Sequence, residues 1–312
     1  MDKLLLVIPC YNEELVLEET TRQLSTVLDG ITRNGKVKDA QVVYVDDGSA
    51  DGTWVLIESL AQKYGFVHGL KLAHNEGHQY ALWAGMEWAV DKCDATISMD
   101  ADLQQDINAI EEMVDRFNEG YEVVYGVRND RATDSWFKKN SALWFYSFMK
   151  KWGGVDIIRN HADYRLMSNR TMKELMQYPE RNIFIRGLVR TLGYRSTTVM
   201  FDVKERFAGE SKYTLSKMMN FALDGITSFS VKPLRFITLL GGISIMVAFA
   251  EIIYALVVHI KGTAIPGWSS LIISMWLLGG FLLLAIGVIG EYIGKIYTEV
   301  KHRPRYLIEK SV

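Results

Sequence analysis

The first half of the chain alternates two hydrophobic patterns. Short apolar runs at 4–9, 41–45, 66–72, 95–99 and 122–125 read as buried strands. Between them, 13–28, 53–64, 79–90 and 107–118 carry apolar residues at helical spacing; Leu17, Thr20, Leu24 and Val27 fall on one face of the first. This rhythm predicts an α/β fold with a doubly wound, Rossmann-like, mostly parallel sheet. Past residue 232 charged positions nearly vanish. The stretch 236–258 holds a single charge, Glu251, and 271–289 holds none. As helices these would extend about 34 and 28 Å, against a hydrocarbon core of about 30 Å, and both are expected to cross a membrane.

The flanking charges orient the spans. Lys217, Lys232 and Arg235 precede the first, Lys295, Lys301, Arg303 and Arg305 follow the second, and only His259 and Lys261 lie between. The positive-inside rule puts both termini in the cytoplasm, which predicts a multi-pass protein of the inner or plasma membrane. The apolar start runs into Tyr11-Asn12-Glu13-Glu14 without a small-residue cleavage site, so it reads as a strand rather than a signal peptide. Leu215, Met218, Met219, Ala222, Ile226 and Phe229 recur at helical spacing near Lys212 and Lys217, as in an interfacial amphipathic helix. The expected division is a cytoplasmic catalytic domain at 1–212, a juxtamembrane helix at 213–232, and two membrane helices with a cytoplasmic tail at 233–312. A net charge of −2 over 312 residues argues against a nucleic-acid partner. Cys10 and Cys93 read as reduced core thiols. Gly241, Gly242, Gly279 and Gly280 would permit close packing of helices between copies, so a homo-oligomer is open.

The chemistry gathers at the strand ends. Pro9-Cys10-Tyr11-Asn12-Glu13, Asp46-Asp47-Gly48-Ser49, His74-Asn75-Glu76-Gly77-His78-Gln79 and Asp100-Ala101-Asp102-Leu103-Gln104 all follow apolar runs. In open α/β sheets that edge binds ligands. Residues such as Asp51 and Thr53 serve equally well as helix caps there. Capping does not explain the adjacent carboxylates Asp46 and Asp47. Asp100 and Asp102, followed by the Gln104 amide, offer hard oxygen ligands for Mg²⁺ or Mn²⁺.

Those four segments, beginning at Val7-Ile8-Pro9, resemble the motifs of the family 2 glycosyltransferases. Further motifs narrow the resemblance: Asp134-Ser135-Trp136-Phe137-Lys138-Lys139, Asp163-Tyr164-Arg165-Leu166-Met167, Glu205-Arg206-Phe207-Ala208-Gly209-Glu210-Ser211-Lys212-Tyr213 and Gly290-Glu291-Tyr292-Ile293-Gly294. With the paired spans, they resemble the polyprenol-phosphate branch of that family, which includes dolichol-phosphate mannose synthase and the bactoprenol glucosyltransferases. The chain departs from the pattern at Glu76 and at His161-Ala162.

The resemblance implies a GT-A-type fold and a nucleotide-diphosphate sugar donor, UDP-glucose or UDP-N-acetylglucosamine from the bactoprenol branch. The implied acceptor is undecaprenyl or another polyprenyl phosphate, and the product a lipid-linked sugar for cell-envelope glycans. It assigns Pro9, Tyr11, Asn12, Glu13, Asp47, Asp100, Ala101 and Gln104 to the donor, and Asp100, Asp102 and Gln104 to the divalent ion. Asp102, Asp163 and Arg128 are the expected catalytic residues. The acceptor phosphate calls for cations, and Arg128, Arg131, Lys138, Arg165, Arg206 and Lys212, with Ser211, are the candidates; a solvated face or lipid headgroups would also explain several of them. Asp163 and Arg165 are expected to pair. Two other functions fit less of the chain: a polysaccharide synthase, which would need a Gln-x-x-Arg-Trp motif and more spans, and a tethered sugar-nucleotide sensor.

Overall fold

The computed structural model describes residues 1–129, 158, 161–181, 183–203, 230–261 and 267–312. Of the amphipathic helix expected at 213–232, residues 213–229 lie outside them. Chain order gives β1 (Lys3–Cys10), α1 (Leu17–Arg33), β2 (Asp39–Asp46), α2 (Thr53–Lys63), β3 (Val67–Leu72), α3 (His78–Ala89), β4 (Ala95–Ser98), α4 (Ala109–Asn118) and β5 (Val123–Arg128). After these come β6 (His161–Ser168), α5 (Asn169–Met176), α6 (Ile185–Thr191), β7 (Ser196–Phe201), α7 (Lys232–Ile260), α8 (Trp268–Val300) and β8 (Ile308–Ser311).

The eight strands form one sheet in the order β7-β5-β6-β4-β1-β2-β3-β8. β1 pairs in parallel with β2 and β4, β2 with β3, and β5 with β7. The expectation of a mostly parallel sheet needs refining, because β6 runs antiparallel between β4 and β5, and β8 runs antiparallel to β3. The apolar runs explain the core. In β1, Leu4, Leu6 and Ile8 enter one buried cluster with α1, α2 and α4, whereas Leu5 and Val7 enter the other with α3, α5 and α6. Period-two alternation with apolar residues on both faces is what a sheet covered by helices on both sides requires.

The helices α7 and α8 are longer than the apolar stretches that announce them, and both hold runs long and apolar enough to cross a membrane. α8 continues past Ile289 through Tyr292, whose hydroxyl donates to the Ser230 carbonyl at 2.5 Å, and on to Glu299. The chain beyond then returns to the sheet: Gly69 and Val312 exchange two backbone hydrogen bonds of 2.9 Å, extending the β3–β8 ladder.

One glycine fixes how closely α3 approaches the sheet. A Cβ on Gly85 would lie 2.3 Å from Val7 Cγ1 and 2.8 Å from Val45 Cγ2. The backbone around it is helical, so the constraint is space alone. Gly85→Ala should therefore destabilise the domain by about 1–3 kcal/mol through overpacking. Thermal unfolding of the purified protein should show a midpoint several degrees lower, and an unchanged midpoint would mean that α3 yields without cost.

Candidate functional site

β1 is the point where the strand order turns. The chain lays β2 and β3 to one side of it and β4 to the other, which opens a crevice beyond the C-terminal ends of β1 and β4. The loops after β1 and β2 are laced together there. Asn12, at φ +54°, donates its N–H to Ser49 Oγ (2.9 Å) and accepts the Ala50 N–H on Oδ1 (2.9 Å). The Glu13 N–H donates to Thr53 Oγ1 at 2.9 Å, and the Glu13 carbonyl accepts the N–H groups of Val16 and Leu17. This use of Glu13 in the loop is why α1 begins at Leu17 rather than at residue 13. Pro9 is buried at the end of β1, and Tyr11 is 39% exposed beside it.

Asp46 and Asp47 divide the work between them. Asp47 is 3% exposed and accepts from Asn75 Nδ2 (3.1 Å), Glu76 N (2.8 Å) and Gly77 N (2.9 Å), which fixes the loop leading into α3. Those bonds occupy three of the roughly four acceptor positions of a carboxylate. Asp46 accepts the Ser49 N–H on Oδ1 (3.1 Å) and keeps a buried Oδ2 with no hydrogen-bond partner among the described residues. Burial pushes both carboxyls above their ordinary pKa. Gly48 makes the contact possible, since at φ +63° a Cβ there would lie 2.6 Å from Asn75 N.

The segment after β4 is held in shape before any ligand arrives. The Asp100 N–H donates to Gln105 Oε1 (3.1 Å), and Gln105 Nε2 returns a bond to Asp100 Oδ2 (2.7 Å). Asp102 Oδ1 accepts the Gln104 N–H at 3.1 Å, and Leu103 takes φ +59° at the turn. Thr20 Oγ1 of α1 donates to the Ala101 carbonyl at 2.8 Å. Burial raises the Asp100 pKa; the nearby His78 opposes that, while Asp163 and Asp102 add to it. Among the described residues, no three His, Cys, Asp or Glu side chains converge into a closed metal cage. The two carboxylates fit a hard divalent cation that takes its remaining ligands from substrate phosphates and water.

Behind this turn sits a buried ionic cluster. Register places Ser98 opposite Arg165 across the β4–β6 pair, and Ser98 Oγ donates to the Asp163 carbonyl at 2.8 Å. Asp163 Oδ1 accepts from Arg165 Nη2, the pairing expected from sequence. It is also gripped in a fork by Arg186 of α6, through Nε (3.0 Å to Oδ1) and Nη2 (2.8 Å to Oδ2). His78 Nε2, on the first residue of α3, stands 3.6 Å from Asp163 Oδ2 and 3.8 Å from Asp100 Oδ1. Burial opposes ionisation of Asp163, but Arg186, His78 and Arg165 outweigh it and hold the carboxyl well below the usual range. Burial likewise works against a charge on His78, and the two carboxylates overcome it, raising its pKa.

Arg128 closes β5 at the same edge, just past a register shift between Tyr125 and Val127, and its buried Nε has no hydrogen-bond partner among the described residues. His161 lies edge-on to Tyr125 at 4.9 Å, with its imidazole pKa held well below the ordinary value by burial and by Arg165 and Arg186. Sequence reasoning missed Arg186, His78 and Gln105 as contributors. His78 stood in a quoted motif and Gln105 beside one, but nothing in Phe184-Ile185-Arg186-Gly187 marks an arginine that meets β6. Of the expected acceptor residues, Arg131, Lys138, Arg206, Ser211 and Lys212 lie outside the described residues.

The cluster makes a stability prediction. The Asp163 pKa is depressed on folding, so its contribution is in place above an unfolded carboxyl pKa of about 4 and fades as pH falls toward the folded value. Asp163→Asn should cost about 3–5 kcal/mol at pH 7 by stranding two guanidinium charges. Urea unfolding should show that deficit largest near about pH 5–6, where His78 is also protonated, smaller as pH rises past the raised His78 pKa, and narrower below about pH 4. A deficit indifferent to pH would remove the charge argument.

The comparisons with known proteins agree with this architecture. The profile of glycosyl transferase family 2 matches residues 5–188. An uncharacterized glycosyltransferase of Bacillus subtilis, YkoT, is 50% identical, covering 98% of this chain and 91% of its own. The SfII prophage-derived bactoprenol glucosyl transferase of Shigella flexneri is 38% identical over 99% of this chain and 98% of its own. A prophage bactoprenol glucosyl transferase homolog of Escherichia coli is 36% identical, over 99% of both. With a match over more than half its length and relatives aligned from end to end, the chain belongs to the glycosyl transferase family 2.

Proposed function

We propose that this glycosyltransferase moves a hexose from a nucleotide-diphosphate sugar, UDP-glucose or UDP-N-acetylglucosamine, to a polyprenyl phosphate in the membrane. The observation that carries the reading is the meeting, at one sheet edge, of the Asp100–Asp102 turn with the Asp163 cluster. Carboxylates for a cation stand beside fixed guanidinium groups, which suits two anionic substrates brought together. The bactoprenol glucosyl transferases that align over nearly the whole chain support the lipid acceptor.

The roles follow from the chemistry. Pro9, Tyr11, Asn12 and Glu13 form the wall on which the nucleoside rests, and Asp46 and Asp47 stiffen it. Asp100, Asp102 and Gln104 would hold Mg²⁺ or Mn²⁺, which when bound screens the diphosphate leaving group. Asp163 holds Arg165 and Arg186 in one orientation and faces the donor through His78. A phosphate monoester has a second pKa near 6, so the acceptor arrives as a nucleophilic dianion at neutral pH and needs no general base. Its direct attack opposite the leaving diphosphate inverts the anomeric centre. What it needs is charge screening, and Arg128, with its unsatisfied Nε, is suited to supply it. Arg131, Lys138, Arg206, Ser211 and Lys212 are proposed to complete that screen. Gln105 pairs with Val203 beside the carboxylate turn, three positions before Arg206 in sequence.

The same reading places both apolar helices across the membrane with the catalytic sheet on the cytoplasmic side. β8 follows α8 and joins the sheet that precedes α7, so the tail and the domain share one side, as two crossings require. The flanking Lys and Arg residues make that side the cytoplasm.

The test is to incubate the purified protein with undecaprenyl phosphate, Mg²⁺ or Mn²⁺ and a panel of sugar nucleotides, then weigh the lipid. One hexosyl or N-acetylhexosaminyl addition is expected. Asp102→Ala should lower the rate by at least about a hundredfold with an unchanged unfolding temperature. Donor binding without any glycolipid would instead favour a sensor, and wild-type turnover by Asp102→Ala would remove the cation site.

A further inference from the structure

The last turn of α8 and the segment that leaves it are tied to the site's supports by a series of side-chain contacts. Glu299 accepts the Arg181 N–H on both carboxylate oxygens (2.7 and 3.0 Å). Arg181 in turn donates through its guanidinium to the carbonyls of Arg303 and Pro304. Arg305 donates to the carbonyls of Tyr178 and Glu180, and its guanidinium lies 4.4 Å over the ring of Trp83, which is fully buried in α3. Tyr306 donates to Glu87 at 2.6 Å, also on α3.

Both partners of this strap present residues to the ionic cluster. α3 begins with His78, five residues before Trp83, and the 178–181 loop leads into α6, whose second residue is Arg186. α6 has only seven residues and no side-chain cap at its start. A helix that short does not hold its own position in water and depends on neighbours. Those neighbours are α5, Asp163 of β6 and α3, through Gln79 Oε1 accepting the Ile185 N–H (3.2 Å) and Tyr80 donating to the Arg181 carbonyl (2.5 Å); the strap reaches α6 through the 178–181 loop.

We infer that Arg305 is a positioning residue for transfer: by clamping the 178–181 carbonyls against α3, it sets the angle at which Arg186 and His78 meet Asp163. The chain thereby couples the end of its second apolar helix to the reacting centre. Among the described residues, no contact joins Arg305 directly to the nucleoside wall on β1 and β2.

This rests on the proposed function for its kinetic arm but not for its structural one. In hydrogen exchange of the full-length protein in detergent, Arg305→Ala should speed exchange across 178–189 and 77–83 by roughly tenfold, leaving 4–10 and 42–46 protected. Arg305→Lys, which keeps a cation over Trp83 and one carbonyl bond, should fall between and serves if the alanine variant does not fold. In the transfer assay Arg305→Ala should lower kcat roughly tenfold with the donor KM within about twofold, and added to Arg186→Lys it should cost nothing further. Wild-type exchange in α6, or losses that multiply in the double variant, would overturn the inference. A wild-type chain that makes no glycolipid counts against the proposed function alone, because the exchange result is read without turnover.

Discussion

Everything at the catalytic edge depends on one carboxylate, Asp163, being kept ionised inside the protein. Arg165 beside it is fully buried in the middle of the sheet, and its Nε and Nη1 have no hydrogen-bond partner among the described residues. Buried pairs of this kind rarely add net stability, because desolvation cancels most of the attraction, while losing one partner is costly. The pair therefore acts chiefly as a constraint. Asp163, Arg165 and Met167 share the face of β6 toward α3, α5 and α6, and Tyr164 on the other face packs edge-on against Phe201 at 5.3 Å. A slip of one residue would exchange these faces, burying the charges among the aliphatics of α4 and removing Asp163 from Arg186. The ionic cluster thus fixes the register of the one antiparallel strand that joins the two parallel halves of the sheet.

That dependence explains what could be read from sequence. The runs behind β1 to β4 are legible because a strand covered on both faces must be apolar throughout, and the clusters that follow must then lie at a single edge. β5 was legible only to Tyr125; its last residues continue past an irregularity of pairing, which no local pattern encodes. β6 is harder still. His161, Asp163 and Arg165 alternate with Ala162, Tyr164 and Leu166, the pattern of a strand with one wet face, yet every residue of it is buried. Only the three-dimensional pairing of Asp163 with Arg186, from a helix 23 residues on, makes that burial tolerable. The motif resemblance singled out Asp163 and Arg165 without showing why they are inside.

The roles assigned to adjacent carboxylates divide in the same way. Sequence shows that Asp46-Asp47 and Asp100-x-Asp102 need an explanation beyond capping, because like charges at short range repel. It does not show that Asp47 spends its oxygens on the amides of Glu76 and Gly77. That bond network sets the N-terminus of α3, hence His78, hence one contact to Asp163. Two motifs far apart in sequence turn out to be successive links of one chain of polar contacts.

The end of the molecule was the least legible part. Ile308-Glu309-Lys310-Ser311 is short, polar and exposed, as an edge strand should be to discourage pairing with other chains, and those traits are also those of a solvated tail. The last turns of α8 mix Glu291, Lys295 and Glu299 with Ile293, Ile296 and Val300 and extend about 15 Å from Ile289 to Glu299. That overhang has a mechanical consequence. A rigid helix fixed to the 178–181 loop at one end holds the domain at a set height above whatever encloses its apolar length. A lipid-borne phosphate cannot climb far from the headgroup layer without exposing its chain to water, at about 0.8 kcal/mol per methylene. The proposed lipid acceptor must therefore be met at the height that this helix sets.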